Sequence, residues 1–147
     1  MPAHSPLHII LGAGGAIGTP LALELLSRGI RLRTASRTGR GPEGADIARV
    51  DLTNADDVLR TVEEGATVYL VAGLAYDRRV WAEAWPRIMQ NVVAACEARQ
   101  ARLIFFDNVY LYGKADGPMT EETPVRPSSR KGTIRAEIAH SLEDAIS

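Results

Sequence analysis

Short apolar runs alternate along the chain with stretches of helical period, the pattern of βαβ units laid on a parallel sheet. Residues 7–11 (LHIIL) predict a first strand that stops at Gly12. Ile17, Leu21 and Leu25 then recur at i, i+4 and i+8, with Leu26 beside them, and predict a helical stripe that Gly29 ends. Pro20 lacks an N–H and is harmless only in a first turn, so this helix should start near residues 16–17. Residues 30–36 alternate as a second strand, residues 39–44 form a loop rich in Gly and Pro, and residues 47–50 give a short third strand. Thr53 is the expected cap of a helix over 55–64, with Asp56 three residues on. Residues 67–72 (TVYLVA) are nearly all apolar, as in a strand buried on both faces. Trp81, Trp85, Ile88, Val92 and Ala95 share one helical face, which Pro86 should split by opening a second helix to about Arg99. Residues 103–106 (LIFF) read as a fifth strand, 108–129 as a loop and 131–146 as a last helix. The expected fold class is α/β, a doubly wound parallel sheet.

Composition narrows the partners. The 147 residues fit one domain, with 46% hydrophobic and 24% charged positions. Lys plus Arg is 17 against 18 for Asp plus Glu, a net charge of −1 that gives no basic footprint for nucleic acid. A single cysteine, Cys96, excludes a disulfide framework and a Cys-based zinc site, and His4, His8 and His140 are too scattered to suggest a metal. Residues 1–23 carry no charged side chain, but they lack the basic start of a signal peptide. Gly12, Gly14, Gly15, Gly18 and Pro20 also interrupt any membrane span. The expectation is a cytoplasmic protein with a small-molecule partner, no nucleic acid and no membrane.

The chemistry is concentrated in Gly12-Ala-Gly-Gly15-Ala16-Ile17-Gly18, a G-x-x-G-x-x-G run between a predicted strand and a predicted helix. Glycines there allow the sharp turn, the close approach of backbone to a pyrophosphate and tight helix–sheet packing. The helix N-terminus adds unpaired N–H groups and a positive dipole end. In that context the run points to dinucleotide binding. The plain alternative is a tight strand-to-helix turn.

The end of the second strand selects the dinucleotide. An NAD site places an acidic residue about 20 positions beyond the glycines. Here Arg37 stands 19 beyond Gly18, flanked by Ser36 and Arg40, and no acid occurs before Glu43. A guanidinium grips a 2′-phosphate that a carboxylate would repel, so NADP is expected ahead of NAD. Asp51, with Leu52, ends the third strand, where its carboxylate either accepts from an adenine amino group or caps the following helix. Ala72 and Gly73 end the fourth strand and are small enough to let a cofactor pass.

Together with Asn91 in NVVAACEA, the FFDNVYLYG run and the TEETPVRPSS run, these features resemble the extended short-chain dehydrogenases/reductases, the NAD(P)-dependent epimerase/dehydratase group. The resemblance covers nearly the whole chain. It implies a Rossmann fold, here truncated to about five strands in the order 3-2-1-4-5, hydride transfer on a sugar-nucleotide-like or related alcohol or ketone, and a homodimer or higher association. It also implies that family members run to roughly twice this length, so residues 1–147 are expected to be the NAD(P)-binding domain, without the C-terminal substrate domain.

The departures fall on the family's catalytic set. Its Ser or Thr lies five residues before the Gly of the V-Y-G signature, which from Gly113 is Asn108. Its Tyr-x-x-x-Lys aligns with Lys131-Gly-Thr-Ile-Arg135, so a lysine replaces the tyrosine and an arginine the lysine. The i, i+4 spacing keeps Lys131 and Arg135 on one helix face. Lys131 either handles a proton or holds a loop, phosphate or ribose. Tyr110 or Tyr112 either supplies the missing phenol or packs. Cys96 is expected as a packing thiol, and Trp81 and Trp85 as core or dimer anchors. Two functions follow: an NADP-dependent oxidoreductase, epimerase or dehydratase, and a non-catalytic NADP-binding sensor.

Overall fold

Ile9, Ile10 and Leu11 are fully buried, and the strand they build, β1 (His8–Leu11), lies at the centre of a five-stranded parallel sheet. The computed structural model describes residues 5–146, so the expectation for His4 lies outside the described residues. The other strands are β2 (Leu32–Ser36), β3 (Asp46–Arg49), β4 (Thr67–Leu70) and β5 (Arg102–Phe105), in the order β3-β2-β1-β4-β5. This is the Rossmann-type order read from the sequence. Register follows from the hydrophobic ends: Ile10 lies opposite Thr34 on one side and Tyr69 on the other.

The described residues form two units: residues up to Gly73 with 91–106, and residues 74–90 with 107 onward. In the first, α1 (Gly18–Ser27) seats Ala22 and Leu25 against Ile10, Ala13, Leu32 and Val71. Its buried face is Gly18, Ala22 and Leu25; Ile17 is exposed and Leu21 only half-buried. The expected stripe is thus rotated by one residue at its start, because the glycine turn must point residue 17 outward. Pro20 falls in the first turn, as its missing N–H requires. At the other end Gly29, at φ +70°, and Ile30 donate to the carbonyls of Leu26 and Leu25, a Schellman stop.

The cap of α2 (Ala55–Thr61) corrects the expectation. Asn54, not Thr53, is the N-cap: its side chain accepts from Asp57 N at 3.1 Å. Asp57, rather than Asp56, reaches back, and its Oδ2 accepts from Asp51 N at 3.2 Å. Thr53 is drawn instead to Asp51, donating both its N–H and its hydroxyl to Oδ1.

Pro86 brings a second correction. It does not split its helix; α3 runs unbroken over Arg78–Ala98. Pro86 is exposed, while Trp81, Trp85, Ile88, Met89, Val92, Ala95 and Cys96 are all buried. A continuous apolar face on both sides of one lost hydrogen bond carries the helix through it. Residues 78–90 of α3 belong to the second unit and 91–98 to the first. The second unit also holds α4 (Arg130–Asp144) and, within the expected loop, a 3-10 turn over Val109–Tyr112.

Candidate functional site

The glycine turn sits where Rossmann sheets bind ligands, at the carboxyl ends of β1 and β4 where the strand order reverses. Gly12 has φ +96°, and a Cβ there would lie 2.4 Å from the Ala72 Cα. A Cβ on Gly18 would lie 2.5 Å from the Gly12 carbonyl oxygen. These two glycines are required by the chain's own packing. Gly15 is different, since its Cβ would meet only Gly12 O at an ordinary 3.5 Å, and Gly14 and Gly73 face open space. Ala16 and Ile17 are exposed beside it. No side chain caps α1, and its first turn holds no acid. The result is an open cradle of backbone at a helix N-terminus, which fits an anionic group such as a pyrophosphate.

At the end of β2 the Ser36 hydroxyl lies 3.3 Å from the Thr38 hydroxyl and accepts from Arg40 N at 3.4 Å, shaping the turn that carries Arg37 and Arg40. Both arginines are exposed, and among the described residues neither makes an ion pair. Of the two readings of Asp51, the structure does not place it at the cap; its Oδ1 holds the turn before α2 through Thr53. Leu52 is fixed from another direction: Asn91 in α3 donates its amide to the Leu52 carbonyl at 3.0 Å. The glycine turn, the Ser36–Arg40 turn, Asp51, Leu52, Ala72 and Gly73 all belong to the first unit.

Asn108, Lys131 and Arg135 belong to the second. Asn108 is the N-cap of the 3-10 turn: its Oδ1 accepts from Tyr110 N at 3.1 Å, and its own N–H donates to Asp107 Oδ1 at 2.7 Å. Ser129 caps α4 through Gly132 N, and Gly132 is a glycine because a Cβ would come within 2.4 Å of the Tyr110 carbonyl. That close approach sets Lys131 and Arg135 on the face toward Trp81, at 5.1 and 5.3 Å from its ring. The Lys131 ammonium also stands over the Tyr76 ring, 2.6 Å from the centroid. Arg135 is only 5% exposed, 4.4 Å over the Trp85 ring and 3.3 Å from Asp107 Oδ1.

Burial governs the charges here. It pushes the Asp107 carboxyl above its usual range, against the Asn108 N–H and the Arg135 charge, which hold it down. It lowers Arg135 in turn, opposed by Asp107 and Tyr110. Tyr110 is raised first by its hydrogen bond with Tyr76 and is drawn back by Lys131 and Arg135. Tyr76 and Asp107 were not foreseen as members of this cluster. Asp107 had a signal, standing at the carboxyl end of β5 one residue before Asn108. Tyr76 had none, because it follows a strand into a loop whose course no periodicity gives. Tyr112 is half-buried at the end of the 3-10 turn, and Trp81 and Trp85 are buried.

Known proteins extend the comparison. The family model for the NAD dependent epimerase/dehydratase family matches residues 8–140. Protein YeeZ of Escherichia coli (strain K12) is 27% identical over 141 residues, covering 88% of this chain and 51% of that protein. The Thermus thermophilus UDP-glucose 4-epimerase, solved as a complex with NAD, aligns with a TM-score of 0.78 at 23% identity, over 94% of this chain and 50% of that one. MoeE5, solved with UDP-glucose and NAD, aligns with a TM-score of 0.79 at 24% identity, over 97% and 49%. The chain thus spans about half the length of these proteins. At such identities the structural likeness establishes the shared fold. No helix among the described residues is long and apolar enough to cross a membrane.

Proposed function

The chain belongs to the NAD dependent epimerase/dehydratase family, and from that membership we propose that it is the NADP-binding domain of a cytoplasmic oxidoreductase, epimerase or dehydratase. Its substrate is a sugar-nucleotide-like or related alcohol or ketone. The observation that carries the reading is the uncapped, acid-free start of α1 behind Gly12, Gly15 and Gly18. There the backbone of Gly15, Ala16 and Ile17 receives the pyrophosphate. Arg37 and Arg40, with Ser36 between strand and turn, take the 2′-phosphate, since no carboxylate competes for them. Asp51 and Leu52 border the adenine, and Ala72 and Gly73 give the dinucleotide room. The bound nicotinamide supplies hydride transfer. In the second unit Lys131 is the residue left to move a proton, because Asn108 is committed to its cap and Arg135 to Asp107 and Trp85.

Calorimetric titration tests the cofactor. NADPH should bind more tightly than NADH by about 1.5–3 kcal/mol, the range of a hydrogen bond to a charged group. Arg37→Ala should erase most of that difference. Equal affinities in the unaltered chain would refute the NADP preference, and binding of neither would refute the dinucleotide reading itself.

The same commitments of Asn108 and Arg135 favour a second reading, a dinucleotide sensor without turnover. NADPH that binds but is not consumed with any UDP-sugar alcohol or ketone supports it. Hydride exchange that is present, and lost in Lys131→Met with NADPH affinity kept within about threefold, supports the enzyme.

A further inference from the structure

Helix starts disfavour cations, yet both long helices of the second unit open with them. Aligned peptide dipoles leave partial positive charge at an N-terminus, where Asp and Glu are stabilising and Arg and Lys are not. Arg78 and Arg79 begin α3 and Arg130 and Lys131 begin α4; α3 is capped from just before it by the Asp77 carboxylate, which accepts from Arg79 N at 2.7 Å and Val80 N at 3.3 Å, whereas α4 is capped only by the neutral Ser129. Among the described residues none of the four makes an ion pair.

The fold then gathers them. Arg78, Arg79, Ala82, Glu83 and Arg130 line a groove of about 310 Å³. Arg78 and Arg130 recur with Lys131 around an adjoining space of about 380 Å³ that Tyr76 and Tyr110 also border. Glu83 is the one carboxylate on either lining. Arg78 and Arg130 border both spaces, with Arg79 on the first and Lys131 on the second, so three cations face each. Cations gathered so closely repel each other, and those that open α4 also oppose its dipole. An anion in the groove relieves both.

We propose that this groove binds the phosphate or diphosphate group of a small ligand, with Arg78 and Arg130 as its principal contacts. Guanidinium groups offer paired N–H donors whose spacing matches phosphate oxygens. A phosphate brings the multiple negative charge that three guanidinium groups and an ammonium call for, which a single carboxylate does not. The concavity is of small-molecule size, and a chain of net charge −1 is not built for a polyanion. The anion site stands without the functional reading above, because pyrophosphate needs no dinucleotide in order to bind. That the phosphate is carried by the substrate handled at Lys131 rests on that reading.

The test is calorimetric titration of the full chain with sodium pyrophosphate, beside malonate as a carboxylate probe. With the glycine cradle of α1 filled by saturating NADPH, pyrophosphate should fill one further saturable site and outcompete malonate there. The double variant Arg78→Ala, Arg130→Ala should weaken it at least about tenfold, whereas Arg126→Ala, exposed in the same unit but off both linings, should change it less than about twofold. Arg78→Lys with Arg130→Lys controls for folding, since it keeps the charges and should keep part of the affinity. Equal losses in the double variant and Arg126→Ala would mean a diffuse ion atmosphere and overturn the site, as would malonate binding as tightly as pyrophosphate or no saturation at all. NADPH affinity of the double variant should stay within about twofold. A parallel collapse would hand the groove to the dinucleotide and overturn its separate role. Failure of NADPH and NADH to bind, with pyrophosphate still held, would sink the cofactor reading and leave this one standing.

Discussion

Gly15 and Gly18 sit three residues apart and are glycine for different reasons. Gly18→Ala drives a methyl group into the Gly12 carbonyl and the Ala13 backbone, so it should lose about 1–3 kcal/mol of stability in denaturant melts. Gly15→Ala meets only an ordinary contact and should keep stability within about 0.5 kcal/mol while weakening NADPH. The reverse ranking would show that the turn is simply a packing device. Arg135→Lys separates charge from shape: the ammonium keeps the charge beside Asp107 but gives up the planar stack on Trp85, an expected loss of about 1–2 kcal/mol. Burial, with Glu97 adding, pushes the Cys96 thiol up to about 11, so in the folded chain it should react with aromatic disulfides only as fast as the protein opens. Glycine spacing was legible in the sequence because a turn off a strand leaves a local record. The partners of Arg135 were not, since Asp107 and Trp85 reach it through contacts distant along the chain.

At the scale of elements, the five strands and four α-helices were legible from periodicity, the 3-10 turn over Val109–Tyr112 was not, and the errors cluster at ends and interruptions. Asn54 displaced Thr53 as cap because Thr53 had a nearer acceptor in Asp51, a competition between neighbours that pattern alone does not rank. Pro86 looked like a break because its lost hydrogen bond is a local fact, whereas the apolar face that overrides it extends over the whole helix. Pro86→Ala restores that bond and should raise the melting free energy by about 1 kcal/mol. β1 carries a pH signature. His8 Nδ1 lies 2.9 Å from the Tyr69 hydroxyl, and burial lowers its pKa below 6.5. In the unfolded chain the ring takes up a proton near pH 6.5, while the folded chain resists until lower pH. Stability from this group is therefore full above that value and lost as pH falls through the folded pKa. Melting points at about pH 7.5 and 5.5 should differ less in His8→Gln than in the unaltered chain.

At the scale of the whole chain, β5 is an edge strand of the described sheet, with Ile104 39% exposed and Phe106, one residue past its end, 54% exposed. Open N–H and C=O groups beside exposed apolar side chains recruit another strand. The described chain should self-associate with concentration in light scattering, and Ile104→Lys should return it toward monomer. A monomer at all concentrations without that change would contradict the expectation. The strand order was legible because the glycine run after the first strand, with the family resemblance it carries, implies the order 3-2-1-4-5. The division into two units was not, because α3 contributes to both and its pattern shows no boundary.

The chain's two tryptophans, Trp81 and Trp85, lie edge to face at 6.2 Å in the second unit, with the Arg135 guanidinium over both rings. All indole fluorescence thus originates in one unit, while the ellipticity of the sheet originates in the other. A single sample followed by both optical signals during denaturation reports on each unit separately. Superimposable curves mean that the protein melts as one cooperative body, and curves displaced along the denaturant axis mean that the indole-bearing unit opens on its own.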